Sequence, residues 1–92
     1  MTVFVYLMDD KMTLNQEIIT KHIHHLRQLD EDGHLVLCGP FTDYAGGIVI
    51  IRAADKETAN RIAQSDPFVN EGYKTYTLRT LEIADASNQY LE

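Results

Sequence analysis

Two stretches of this chain, Val3–Leu7 (VFVYL) and Gly47–Ile51 (GIVII), are hydrophobic at successive positions rather than at alternate ones. Strands of that kind need cover on both faces. The rest of the sequence supplies only two segments with helical spacing. The first begins after Thr13 or Asn15, either of which can cap it, with Gln16 or Glu17 in its first turn. Ile18, Ile19, Leu26 and Leu29 form its apolar stripe, and Gly33 supplies a left-handed stop after about Asp32. The second runs from a cap at Asp55 to about Gln64, packing through Ala59, Ile62 and Ala63, and Asp66-Pro67 breaks it. Two more strands complete the pattern. One covers Leu35–Leu37, reaching at most Cys38 before Gly39-Pro40, because Pro40 has no N–H for a ladder. The other is long, Tyr73–Ile83, after a turn at Asn70–Gly72.

The order strand, helix, strand, strand, helix, strand predicts a four-stranded antiparallel sheet with both helices on one face, an α+β fold. Two helices cover one face of such a sheet and leave the other bare. A homodimer through that second face is therefore expected. At 92 residues the chain makes one domain, 1–92, with a loosely packed polar tail over 85–92 that carries Tyr90 and Leu91. A net charge of −6 argues against a nucleic-acid surface, and no run reaches the length of a membrane span. The start lacks the basic region of a secretion signal, and the single Cys38 excludes an intrachain disulfide. A cytoplasmic location follows as the expectation.

All four histidines fall in KHIHHLRQLDEDGHLVLCGP. Helical phase separates them. His22 falls in the middle of the apolar stripe, His25 at its margin, and His24 points away, while His34 lies beyond Gly33. Only His22 is aimed at the core. No HExxH or paired-cysteine spacing accompanies it, so neither a metal nor any other cofactor is expected. An inward histidine is ordinarily a hydrogen-bonded core residue; the sharper reading makes it a proton acceptor suited to neutral pH.

Asp66 has a local role ready, capping or turning the chain before Pro67. The end of the second helix can also approach the first, where a carboxylate would orient the His22 imidazole and select its tautomer. The GPFTDYAGG segment matches neither phosphate-loop pattern, so its glycines read as turn and bulge residues. Its neighbours Phe41, Asp43 and Tyr44 are candidates for a pocket mouth, and Tyr73, Tyr76 and Arg79 are secondary ones. Strand alternation puts Tyr73 and Arg79 on one face and Tyr76 on the other.

The chain resembles the YCII-related family. The matching pieces are His22 with HLRQLDEDGHLVLCGPF after it, then GGIVIIRAADKETANRIAQSDPF, with Gly72 soon after. The resemblance implies a ferredoxin-like βαββαβ domain of the dimeric α/β-barrel type. It also implies a catalytic dyad of His22 and Asp66 facing a pocket; Gly39, Pro40, Phe41, Tyr44 and Arg79 are the substrate-binding candidates. The chain departs from the family at His25, where members often carry an apolar, aromatic or arginine residue, and in its short loop after Gly39-Pro40. The expected function is acid–base chemistry without a cofactor, as in a lyase, isomerase or dehydrochlorinase, on a small hydroxylated aromatic or carbonyl compound. The alternative is a noncatalytic dimer that binds a small metabolite or regulates a partner.

Overall fold

The computed structural model describes residues 1–88. Its elements are β1 (Thr2–Asp10), α1 (Gln16–Glu31), β2 (Leu35–Pro40), β3 (Gly46–Ile51), α2 (Lys56–Ser65), a short α3 (Pro67–Asn70), β4 (Lys74–Glu82) and a 3-10 turn (Ala86–Asn88). The strands form one sheet in the order β2-β3-β1-β4, with every neighbouring pair antiparallel. This is the ferredoxin-like α+β arrangement that the order of elements predicts.

Local chemistry fixes the helix ends. The Asn15 side chain accepts from the Ile18 N–H at 2.9 Å and starts α1. Gly33, at φ +79°, ends it, and His34 N–H returns to the Leu29 carbonyl. Asp55 caps α2 through the Thr58 N–H at 2.8 Å. The expected break at Asp66-Pro67 is also a restart. Asp66 ends α2, accepts from the Phe68 N–H, and starts α3 with Pro67 in its first turn.

Register assigns the sheet faces. Phe4, Tyr6 and Met8 of β1 lie opposite Ile51, Val49 and Gly47 of β3, and this set packs under the helices with Ile18, Leu29, Ala59, Ala63 and Phe68. The intervening positions, Val3, Val5 and Leu7 of β1 with Ile48 and Ile50 of β3, belong to the opposite face. Leu37 and Leu81 extend that apolar face to the outer strands, and both are exposed.

Several boundaries differ from expectation. β1 runs on through Asp9 and Asp10 because both have partners, Gly46 on one side and Lys74 on the other. β2 continues to Pro40 because it is an edge strand and Pro40 is its last residue. The register shift falls between Leu35 and Leu37, not at the glycines. Gly46 and Gly47 are needed instead for close strand approach. A Cβ on Gly46 would run into the Met8 carbonyl, and one on Gly47 would sit 2.9 Å from the Gly39 carbonyl oxygen. Part of the polar tail forms the 3-10 turn, whereas Tyr90 and Leu91 lie outside the described residues. No helix among the described residues is long and apolar enough to cross a membrane.

Candidate active site

The phase of α1 turns His22 inward, where its side chain is 12% exposed, and α3 carries Asp66 to it. His22 Nδ1 lies 2.8 Å from Asp66 Oδ1. Asp66 is fully buried and accepts two further bonds, from the Phe68 N–H to Oδ1 at 3.0 Å and from the Tyr6 hydroxyl to Oδ2 at 2.9 Å. Burial alone would push the Asp66 carboxyl up. The His22 bond and charge, with the Phe68 N–H, outweigh burial and hold it below the usual carboxylate range. The Tyr6 hydroxyl is held firmly protonated, first by burial and then by the adjacent carboxylate. An ionised carboxylate only accepts, so in the neutral form of the ring His22 Nδ1 carries the hydrogen and Nε2 the lone pair. The imidazole is also clamped flat against Phe68, with ring centres 3.9 Å apart and planes 20° apart. Asp66, behind the pocket wall, therefore sets the tautomer, and Phe68, part of the wall, helps fix the ring's orientation.

His22 forms part of the wall of a pocket of about 480 Å³ between α1 and the β2–β3 side of the sheet. Met8, Leu14, Ile19, Leu26 and Phe68 make most of this wall apolar, and Gly39, Pro40 and Gly47 bring backbone to it. Its one lysine is Lys74, 5% exposed, with Nζ 3.0 Å from Asp10 Oδ1 and 4.4 Å from the centre of the Phe68 ring. Cys38 also lines it, but burial, with Asp30 nearby, pushes its thiol up and away from the thiolate. The volume suits a small organic molecule.

His22, Asp66, Gly39 and Pro40 thus come together as the sequence suggests. Phe41, Asp43, Tyr44 and Arg79 do not line the pocket. Phe41 and Tyr44 pack edge-on against each other outside it, and the Tyr44 hydroxyl donates to Asp9 at 2.7 Å. Arg79 pairs with Val5 on the opposite face of the sheet, and its guanidinium reaches the Leu78 carbonyl. Alternation along β4 gives the inner face to Lys74, Tyr76 and Leu78, which excludes Arg79. Tyr76 donates to Asn60, and the Tyr73 hydroxyl accepts from Asn15, so neither faces the pocket.

The expectation that only His22 turns inward is corrected by His25. Its side chain is 13% exposed, and Nε2 lies 3.9 Å from Asp66 Oδ2, buried without a hydrogen-bond partner among the described residues. Burial lowers its pKa, and the neighbouring His22 adds to that, against the opposing pull of Asp66. Sequence reasoning also passed over Lys74, Phe68 and Tyr6. Lys74 shares the parity of Tyr76 and Leu78, which was the available signal, but a lysine opening a strand reads as solvated. Among the described residues no group of three or more His, Cys, Asp or Glu side chains is placed to hold a metal ion.

The model of the YCII-related domain matches residues 1–82. The uncharacterized protein YjpA of Bacillus subtilis (strain 168) is 34% identical over 82 residues, covering 87% of this chain and 96% of that protein. A muconolactone isomerase structure superposes with a TM-score of 0.73 at 10% identity, covering 89% of this chain and 90% of the other. A 5-chloro-2-hydroxyhydroquinone dehydrochlorinase from Burkholderia phenoliruptrix AC1100, in complex with 2,5-dihydroxybenzoquinone, gives 0.64 at 15% identity, covering 94% and 97%. At such identities the two structures speak for the fold. The sequence match covers most of the chain, and the chain belongs to the YCII-related family.

Proposed function

We propose that the chain is an acid–base enzyme that needs no cofactor and acts on a small hydroxylated aromatic or carbonyl compound, as a lyase, isomerase or dehydrochlorinase does. One observation carries this reading: a buried carboxylate holds Nδ1 of a histidine whose ring lines an apolar pocket. His22 Nε2 takes or returns the proton, and Asp66 orients the ring and stabilises the imidazolium as it forms. Gly39 and Pro40 shape the wall against which the substrate lies. The names of the two solved neighbours, an isomerase and a dehydrochlorinase crystallised with a dihydroxybenzoquinone, support the choice of reaction class.

The working unit in this reading is a homodimer, with a second copy of the chain covering the apolar sheet face that carries Leu37, Ile50 and Leu81. A cytoplasmic location is part of the same proposal and fits a chain with one free cysteine.

The test is a screen of hydroxylated aromatics and small carbonyl acids, followed by kinetics. His22→Ala is expected to lower kcat/KM by about 100-fold or more, and Asp66→Asn by about 10- to 100-fold. His24→Ala, on the exposed side of α1, is expected to leave turnover unchanged. Full activity in His22→Ala would contradict the assignment. A metabolite that binds stoichiometrically and leaves unchanged, with affinity lost in both dyad variants, would favour a noncatalytic binding or regulatory protein.

A further inference from the structure

We propose that Lys74 is the anchor for an anionic oxygen, so that the pocket selects a small flat compound bearing a phenolate, enolate or carboxylate. The assignment rests on the acid–base reading of the same pocket. It starts from an anomaly in the fold. The register of β1 and β4 sets Lys74 directly opposite Asp10, at the end of both strands' pairing. The lysine nevertheless turns inward, to 5% exposure, while Asp10 is more open at 28%. A buried ion pair is a poor source of stability, since an apolar side chain of similar volume does as well or better. An ammonium kept at the wall of an apolar pocket is better explained by a ligand.

Its surroundings leave room for one. Lys74 Nζ has the Asp10 carboxylate at 3.0 Å and the Phe68 ring face at 4.4 Å. An ammonium has three N–H donors, and neither neighbour uses them all. The same Phe68 ring carries the His22 imidazole, so the charge and the base both lie within 4.4 Å of one ring centre. Both side chains line the one pocket, so a ligand seated there can place an oxygen on Nζ and a C–H bond near His22 Nε2. The chain's net charge of −6 repels anions at long range, which makes this short-range, desolvated contact the source of selection. During an isomerisation, His22 Nε2 would take the proton as the C–H bond breaks. With a carbonyl oxygen on Lys74, the C–H electron pair would form a C=C bond while the C=O pair moves onto that oxygen, giving the enolate that Lys74 holds; as C=O re-forms, another carbon would take the proton back from the imidazolium. No oxidant or co-reactant is needed.

The probe pair is 4-nitrophenol and its neutral methyl ether, 4-nitroanisole, titrated into the whole protein, with phenolate absorbance reporting the ionised form. Wild type is expected to bind the phenolate in preference to the ether. Lys74→Met should weaken phenolate binding about 10- to 100-fold and ether binding by less than about 2-fold. Asp10→Asn keeps the lysine and removes its competing carboxylate, so phenolate binding should tighten about 3- to 10-fold. The opposite signs guard against misfolding: if Lys74→Met does not fold, Asp10→Asn decides. Equal losses for both ligands in Lys74→Met, unchanged or weaker phenolate binding in Asp10→Asn, or failure of wild type to bind the phenolate would each overturn the proposal. The readout needs no turnover. Charge-selective binding without a reaction would leave Lys74 in place and sink the enzyme, whereas turnover without charge selectivity would do the reverse.

Discussion

Asp66 is the residue on which the site converges, because Tyr6, Phe68 and His22 all place donors on one buried carboxylate. His25 crowds the same carboxylate without bonding to it. That arrangement has a measurable consequence in acid. The His25 pKa is lowered from 6.5 by burial, so the unfolded chain binds a proton there at pH values where the folded chain does not. Stability therefore rises with pH across that window, and wild type loses part of it as pH falls through about 6.5. Asp66, whose pKa is also lowered, contributes stability above the ordinary carboxyl range, and that contribution fades in the more acidic window below. The two windows are separable. His25→Leu removes the orphaned nitrogen and should stabilise the fold by about 1 kcal/mol near neutrality. Urea unfolding at pH 7.5 and 5.5 should show wild type losing more stability between them than His25→Leu does. Equal losses would show that His25 does not titrate as the burial requires.

At the scale of elements, most of the fold is legible in the sequence and part of the site is not. Caps and stops carried the helices: Asn15, Gly33 and Asp55 act through local hydrogen bonds that need no knowledge of tertiary structure. The Asp66-Pro67 pair announces the end of α2 just as locally, but the same pair starts α3, and that turn brings Phe68 under His22. The inward phase of His22 follows from the stripe of Ile18 and Leu26. The involvement of His25 does not, since its margin position becomes buried only because α3 packs against α1. Lys74 and Arg79 show the limit on a strand. Parity separates them onto opposite faces, yet it does not reveal which face holds the pocket until the sheet is paired.

The whole molecule has helices over one face of its sheet and an apolar opposite face. Val3 and Val5 on that face are already shielded by their neighbours, whereas Leu37 is 54% exposed and Leu81 43%. A second copy laid across this face would bury those side chains while leaving the pocket, under the helices, on the far side of each sheet. Sedimentation at micromolar concentration should give about twice the 10.5 kDa chain mass, and Ile50→Asp should shift the protein toward monomer by burying an unpaired charge. A wild-type species at the chain mass would contradict the dimer. The dyad is contained in one chain, so its geometry stands apart from that outcome.

The central claim, that Asp66 holds His22 with Nε2 free for a proton, can be tested before any substrate is known. Nitrogen NMR of the protein with 15N-labelled histidine, at a pH where the imidazoles are neutral, distinguishes a protonated ring nitrogen from one with a lone pair. For His22, assigned by its loss in His22→Ala, the hydrogen is expected on Nδ1 and the lone pair on Nε2, with Asp66→Asn weakening that preference. A His22 protonated on Nε2 in the wild-type protein would contradict the account.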